Sequence, residues 1–253
     1  MAEFTIEIAG HTAAVSSLFG STKDYCRDYL TGKAPEVCLC VTEDDLRFEQ
    51  RWLDEEAVEE GFRLRTFSDP FLDRAAVQRK MAEFLFDHHI LMTHGSAIAV
   101  DGRGYLFTAK SGTGKSTHTR FWRETFGSRA AMINDDKPFI RMEADRIDIC
   151  GAPWSGKHGL HSNVTVPLAG ICILQRGNEN CIQPVAAEAA LPMLLHQSYR
   201  PEAPEKQAAF HRMVTQLAAQ VPLWSMTCTK DDQAACVAFS AMAGASISKE
   251  VSL

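Results

Sequence analysis

The sequence predicts an α/β fold in which a mixed sheet and a hairpin lead into a glycine-rich loop, with a small N-terminal lobe before this core. The loop and its flanks carry the prediction: an apolar strand candidate, 105–108, precedes the glycine-rich segment 109–117 and a helix candidate, 116–126. Asp101-Gly102 is a strong signal for a two-residue hairpin turn and follows another small apolar strand candidate, 96–100. The strand before the loop is therefore expected to pair antiparallel with its predecessor.

The segment 109–117 reads Ala-Lys-Ser-Gly-Thr-Gly-Lys-Ser-Thr and meets the chemical needs of a phosphate-binding loop. Gly112 and Gly114 allow backbone N–H groups to curl around an anionic phosphate. Lys115 can reach the β- and γ-phosphates of a nucleotide, and the Ser116 hydroxyl can ligate Mg²⁺. The helix that begins here adds its positive dipole end to the same site. The residues predicted to bind the nucleotide are Ser111, Gly112, Thr113, Gly114, Lys115, Ser116 and Thr117.

An acidic pair, Asp135-Asp136, follows the apolar strand candidate 131–134. The carboxyl edge of a strand is the usual place for ligand chemistry in open α/β sheets. One carboxylate can hold Mg²⁺, while the other accepts the proton of an attacking hydroxyl. Adjacent side chains in extended backbone point to opposite faces, so the two are expected to differ in role. The sequence does not fix which is which; we favour Asp135 as the base and Asp136, with Ser116, on the metal side.

A second loop, 151–159, reads Gly-Ala-Pro-Trp-Ser-Gly-Lys-His-Gly and follows a predicted hairpin with strands 138–142 and 146–150. Glycines around a Trp, a Lys and a His are typical of an active-site lid or an acceptor-binding loop. Lys157 can stabilise the charge on a transferring phosphoryl group, so we predict that it is a catalytic residue. The alternative is a Gly/Pro-rich surface connection.

These motifs together resemble the catalytic domain of HPr kinase/phosphorylase, in the superfamily of HPr kinase and phosphoenolpyruvate carboxykinase. The resemblance covers about residues 90 to 145 and rests on His94-Gly95, the turn at 101–104, the glycine-rich loop and Asp135-Asp136. It implies a phosphoenolpyruvate carboxykinase-like P-loop core with ATP and Mg²⁺ as cofactors. His94 matches the family histidine beside the catalytic carboxylate, which it would orient; the alternative is a strand-end histidine bonded to backbone.

The resemblance implies a kinase that transfers the γ-phosphoryl group to a hydroxyl, with a Ser or Thr of a peptide or protein as the leading acceptor. The chain lacks the Glu-and-Arg signature of HPr kinase, which argues against phosphorylase activity and against HPr as the substrate. A kinase of a free small molecule such as serine, and a nucleotide-binding regulatory or scaffold protein, stay as alternatives. The sequence contains no Asn-Lys-x-Asp segment, which argues against a GTPase. Phosphoenolpyruvate carboxykinase activity is also disfavoured, because members of the family with that activity have a much longer chain.

The predicted organisation is a β-rich N-terminal lobe, 1–67, to which the sequence assigns no role, and an HPr kinase-like nucleotide-binding core, 68–253, with a helical C-terminal part. A helix candidate beginning at Asp69-Pro70 joins them. Its apolar stripe includes His88, which we therefore expect to be packed in the core. The stripe consists of Val77, Met81, Phe84, Leu85, His88 and Met92.

Composition sets further bounds. At 253 residues, 45% of them hydrophobic, the chain is long enough to bury a full α/β core. Its net charge of −6 argues against a nucleic-acid partner. No apolar stretch reaches the roughly 18 residues that span a bilayer, and segment 1–7 lacks the features of a signal peptide. The eight cysteines include no Cys-x-x-Cys spacing. We expect a cytoplasmic protein without a membrane partner; homo-oligomer formation is left open.

Overall fold

The computed structural model of the chain describes residues 1–59 and 61–244. The segment 245–253, which the sequence assigns to the end of the core, lies outside the described residues. The chain divides into two compact units, Met1–His88 and His89–Leu253. The predicted boundary at 67/68 precedes a helix, Asp69–Phe86, which the structure groups with the first unit because it packs against strands and helices there.

The first unit is a small sheet covered by helices. Its described strands are arranged in the order β1-β2-β3, with β1 antiparallel and β3 parallel to the central strand. Ala9 and Gly10, at φ 53° and 90°, form the turn between β1 and β2. The elements are β1 Ala2–Ile8, β2 His11–Ser17, α1 Gly20–Tyr25, β3 Val37–Cys40, α2 Glu43–Glu59 and α3 Asp69–Phe86.

Helix α3 begins as its sequence predicts and ends earlier than its apolar stripe suggests. Pro70 lies in its first turn, and Val77, Met81 and Leu85 are buried. The helix ends at Phe86, and His89 adopts a left-handed conformation, with φ 59°. His88 lies in the turn between them and is exposed. The prediction that His88 is packed in the core is therefore wrong, because the helical period does not extend to it.

The second unit is built on one mixed sheet, which confirms the predicted α/β class. Nine of the described strands belong to it, in the order β4-β8-β9-β10-β6-β5-β7, with β12 beside β10 and β11 beside β12. Four helices accompany the sheet in the described part of the unit. The elements are β4 Ile90–Met92, β5 Ser96–Val100, β6 Arg103–Thr108, α4 Lys115–Phe126, β7 Ala130–Asn134, β8 Phe139–Met142, β9 Ile147–Cys150, β10 Thr165–Arg176, β11 Cys181–Pro184, α5 Ala187–Gln197, α6 Gln207–Gln220, β12 Leu223–Cys228 and α7 Gln233–Ala243.

The predicted hairpin before the glycine-rich loop is present. Strand β5 pairs antiparallel with β6, and Val100 lies opposite Arg103. Asp101 and Gly102 form the turn at φ 51° and 75°, the left-handed pair that a two-residue hairpin turn requires. On its other side β6 pairs parallel with β10. The strand that leads into the loop therefore has one antiparallel and one parallel neighbour.

Aromatic packing fixes helix α4 against this sheet. Trp122 is fully buried, and its ring lies 5.0 Å from that of Tyr105 and 5.1 Å from that of Phe107 between ring centroids. Phe239 of α7 meets both Trp122 and Phe126, at 5.6 and 4.6 Å. Pairs of this kind add roughly 0.5–1.5 kcal/mol each beyond the burial of their area. The start of α4 is thereby held at the end of β6.

Among the described residues, no helix combines the length and the apolar character that a membrane crossing requires.

Replacing Gly102 by Val should destabilise the protein by about 1–2 kcal/mol, because a β-branched side chain is strained at positive φ. A Cβ at this position would meet nothing within 4 Å, so the cost is conformational rather than steric crowding by neighbours. Urea unfolding measures the change. Gly102→Asn is the matched control and should cost less, because Asn tolerates the left-handed region; equal losses in both variants would contradict the turn assignment.

Candidate functional site

One edge of the large sheet collects the predicted site residues. Strands β6 and β10 are parallel, and β7 is antiparallel to β5, which is itself antiparallel to β6. The C-terminal ends of β6, β7 and β10 therefore lie at the same edge as the start of β5. The glycine-rich loop follows β6 and the acidic pair follows β7. Because of this topology, segments far apart in sequence meet there.

The glycine-rich loop connects β6 directly to α4, as the sequence predicts. Gly112 and Gly114 have φ 72° and 119°, and Gly114 is the residue that precedes the first turn of the helix. A Cβ at either position would meet nothing within 4 Å, so glycine is required by backbone conformation rather than by space. Ser111 is exposed, while Thr113 and Thr117 are half-buried. The loop thus has the conformation and the helix start that favour an anion.

Lys115 and Ser116 occupy the first positions of α4. Lys115 is buried, and its ammonium donates to the carbonyl oxygen of Ala109 at 3.1 Å, across the base of the loop. Ser116 is exposed, and its hydroxyl lies close enough to Asp135 to lower the pKa of that carboxyl by hydrogen bonding. The loop and the acidic pair are therefore joined through a side chain of α4.

A line of buried hydroxyl groups ends on the Asp135 carboxylate. The Thr119 and Ser96 hydroxyl oxygens are 2.7 Å apart, and Ser96 donates to Asp135 Oδ1 at 2.6 Å. Burial raises the pKa of Asp135, although the hydrogen bonds from Ser96 and Ser116 act in the opposite direction. Asp135 is thus a carboxylate taken out of water, with hydroxyl donors on two sides.

Asp136 lies in a different environment from its neighbour. Its side chain is 32% exposed, and its Oδ1 is 3.3 Å from Nε2 of His94. Burial, followed by the positive charges of Lys137 and Lys115, lowers the pKa of His94 to about 2. The imidazole is therefore neutral near pH 7, and its Nε2–H is the group that can donate to Asp136. The sequence places His94 beside the catalytic carboxylate; in the structure it contacts Asp136 instead of Asp135, the carboxylate favoured as base.

Asn134 connects the acidic pair to the second loop. Its amide nitrogen donates to the carbonyl oxygens of Ala152 and Trp154, at 2.7 and 3.1 Å. Its amide oxygen accepts from the backbone N–H groups of Asp136 and Lys137, at 2.8 and 2.7 Å. Because Asn134 is fully buried, these four bonds fix the turn that carries both carboxylates.

The second loop lies against the acidic pair. A Cβ on Gly156 would come within 3.3 Å of Asp136 Cβ, so the loop backbone closely approaches this side chain. The charge of His158 acts to lower the pKa of Asp135. Lys157 is the central residue of the 3₁₀ turn Gly156–His158 and is exposed. The loop backbone is thus brought to the site, with the Lys157 side chain on its solvent side.

Arg176 contacts the glycine-rich loop from the end of β10. Its guanidinium donates from Nε to the carbonyl oxygen of Thr113 at 3.4 Å, and from a terminal nitrogen to the carbonyl oxygen of Gly112. A loop whose carbonyls point outward to a cation can present its N–H groups inward. No local motif marks Arg176, because its position depends on the pairing of β10 with β6.

Two further residues of the site, Ser96 and Thr119, were also missed, although the sequence gives weak indications of both. Ser96 is the polar residue of an apolar strand, and Thr119 lies one turn after Lys115.

No protein-family model matches the chain, and no curated protein matches it. Among solved structures, one described as the Hpr(Ser) kinase/phosphatase from Coxiella burnetii is similar at 11% sequence identity, over 51% of this chain and 97% of that chain, with a TM-score of 0.30. The name is that of the family which the motifs resemble. At this identity and TM-score the likeness carries no argument about function.

Replacing Asn134 by Ala should destabilise the protein by about 2–4 kcal/mol, because several buried backbone groups lose their partner. The free energy of unfolding in urea measures this effect. Asn178→Ala, at an exposed asparagine in the turn after β10, is the control and should change stability by less than about 0.5 kcal/mol. Equal small losses in the two variants would show that Asn134 does not anchor the two loops.

Proposed function

We propose that the chain is an ATP- and Mg²⁺-dependent kinase that transfers the γ-phosphoryl group to a hydroxyl. The observation that carries the proposal is the meeting, at one sheet edge, of a glycine-rich loop bearing Lys115 and Ser116 with two carboxylates in different environments. Phosphoryl transfer needs these parts: donors that hold the phosphates, a metal site and a proton acceptor.

The donor set fits both cofactors. The Ser116 hydroxyl and the Asp135 carboxylate are neighbouring oxygen ligands, and Mg²⁺ prefers oxygen ligands. Mg²⁺ bound there would neutralise charge on the phosphate oxygens. Lys115 and the N–H groups of the loop would hold the β- and γ-phosphates of ATP. Arg176 keeps the carbonyl groups of Gly112 and Thr113 turned toward its guanidinium and so orients the loop.

We assign the base role to Asp136 and the metal side to Asp135, which reverses the assignment favoured from the sequence. Asp135 is 6% exposed, accepts a hydrogen bond from Ser96 and lies near Ser116. It therefore faces the glycine-rich loop, where the metal-bound phosphates would lie. Asp136 is more exposed and can accept the proton of an incoming hydroxyl. Neutral His94 orients Asp136 through its Nε2–H without adding a positive charge that would weaken the base.

A Ser or Thr of a peptide or protein is the acceptor that we propose first. The exposed turn Gly156–His158 lies beside Asp136 and leaves this carboxylate open to an acceptor that arrives from solvent. Lys157 on that turn would stabilise the charge that develops on the transferring group. A free hydroxy amino acid such as serine offers the same hydroxyl group for phosphorylation, so the assay must include both kinds of acceptor.

The experiment supplies ATP and Mg²⁺ with candidate peptides, proteins and free serine, and follows phosphate transfer by mass spectrometry. Asp136→Asn should lower the transfer rate by about 10²–10⁴-fold while ATP still binds, because a general base contributes an effect of this size. Asp135→Asn should raise the Mg²⁺ concentration needed for half-maximal rate.

Asp145→Asn, at an exposed aspartate, is the control and should leave both quantities unchanged. Loss of rate only in Asp135→Asn, at saturating Mg²⁺, would return the base role to Asp135. ATP binding with no transfer to any acceptor would support a nucleotide-binding regulatory protein instead.

Lys115→Ala should weaken ATP binding by about 10- to 100-fold, because hydrogen bonds to charged groups contribute about 1.5–3 kcal/mol each. Isothermal titration calorimetry measures the affinity, and a melting curve verifies that the variant is folded. Lys230→Ala removes an exposed lysine of the same unit and should bind ATP as the wild type does. The same affinity in all three proteins would contradict the role of the loop.

A further inference from the structure

A second group of ligand-type side chains lies within the first unit. His11, Glu36 and His88 each offer one ligand atom, and these atoms all lie within 4.8 Å of one another. His11 Nδ1 is 2.9 Å from Glu36 Oε2. The imidazole rings of His11 and His88 have centroids 4.2 Å apart. Three segments that are distant in sequence thus bring two imidazoles and a carboxylate together.

The backbone accounts for this meeting. His11 is the first residue of β2, immediately after the Ala9-Gly10 turn. Glu36 directly precedes β3, which runs parallel to β2, and its N–H donates to the carbonyl oxygen of Thr12 at 2.9 Å. His88 follows α3; its N–H donates to the carbonyl oxygen of Leu85 at 2.9 Å. Each ligand therefore lies on backbone that is fixed by hydrogen bonds.

The carboxylate of Glu36 is oriented by neighbouring donors. Its Oε1 accepts from the backbone N–H of Thr12 at 2.9 Å and from the hydroxyl of Thr12 at 3.2 Å. Metal-binding carboxylates are commonly held by outer hydrogen bonds of this kind, which leave the other oxygen directed at the ion.

We propose that His11, Glu36 and His88 form a binding site for Zn²⁺ or a similar divalent transition-metal ion. Two imidazoles with one carboxylate favour such an ion over Mg²⁺ or Ca²⁺, which prefer oxygen ligands. At the tetrahedral angle, two ligand atoms about 2.0–2.1 Å from one Zn²⁺ lie about 3.3 Å apart. Nδ1 and Oε2 are 2.9 Å apart, so they would separate by only a few tenths of an ångström to hold the ion. On binding, the Nδ1 proton of His11 would move to Nε2 or, from an imidazolium, leave to solvent. The neutral imidazole would then coordinate the ion through Nδ1 and carry its proton on Nε2.

The site would be open to solvent on one side. Glu36 and His88 are exposed, and three protein ligands leave a fourth position for water or another group. The ion would also tie the start of β2, the segment before β3 and the end of α3 together. Binding to the folded state alone would therefore stabilise the first unit. Binding of the ion there would use none of the residues of the sheet-edge site.

The test titrates Zn²⁺ into the full-length chain, freed of metal with a chelator and without nucleotide, by calorimetry. We expect one stoichiometric binding event and a higher melting temperature with Zn²⁺. His88→Gln and Glu36→Gln should each weaken binding by at least about tenfold, since loss of even an outer-shell partner commonly costs 10–100-fold. His211→Ala, at an exposed histidine outside the cluster, should bind as the wild type does.

Two further measurements separate this site from other donors of the chain. Co²⁺ in place of Zn²⁺ should give a spectrum without sulfur-to-metal charge-transfer bands, because exposed Cys38 and Cys40 are not ligands in the proposal. Asp136→Asn should retain the same stoichiometric Zn²⁺ event. Thiolate bands, unchanged affinity in His88→Gln and Glu36→Gln, or loss of the event in Asp136→Asn would each overturn the proposal.

Discussion

The hydroxyl of Ser96 is the contact on which the sheet-edge site depends. It lies between Thr119 of α4 and the Asp135 carboxylate, so one small side chain joins the helix that follows the glycine-rich loop to the acidic pair that follows β7. All three residues are buried. Removing a polar group from water costs free energy, and a group left unpaired among them would have no hydrogen bond to offset that cost. These hydrogen bonds thereby hold Asp135 beside the first turns of α4.

The two adjacent aspartates differ because the backbone sends them into different surroundings. Asn134 accepts from the N–H groups of Asp136 and Lys137 and so bends the chain directly after β7. Asp135 remains among buried hydroxyl groups, where its charged form is disfavoured unless a cation is present. Asp136 turns toward His94 and solvent. In the proposed kinase, Asp135 would hold the metal ion and Asp136 would accept the proton.

Features set by local sequence were predictable, and those set by long-range pairing were not. The Asp101-Gly102 turn and helix α4 were predicted correctly because the residues that determine them are adjacent. The exposure of His88 was missed, since its apolar spacing continues past the residue at which the helix ends. The environment of each aspartate depends on Ser96 and Asn134, and the contact of Arg176 depends on strand pairing. No spacing along the chain encodes these relations.

The antiparallel strand β5 explains how a histidine enters the site. In a purely parallel sheet, the ligand edge receives only the residues that follow strands. Here β5 runs in the opposite direction to β6 and β7, so the residues at its start, His94 and Ser96, lie at the edge where those strands end. The backbone carbonyl of His94 also accepts from the Thr108 hydroxyl at 3.0 Å. The hairpin that leads into the loop therefore has two effects. It places the end of β6 at the site, and it brings the partners of both carboxylates, Ser96 for Asp135 and His94 for Asp136, to the same edge.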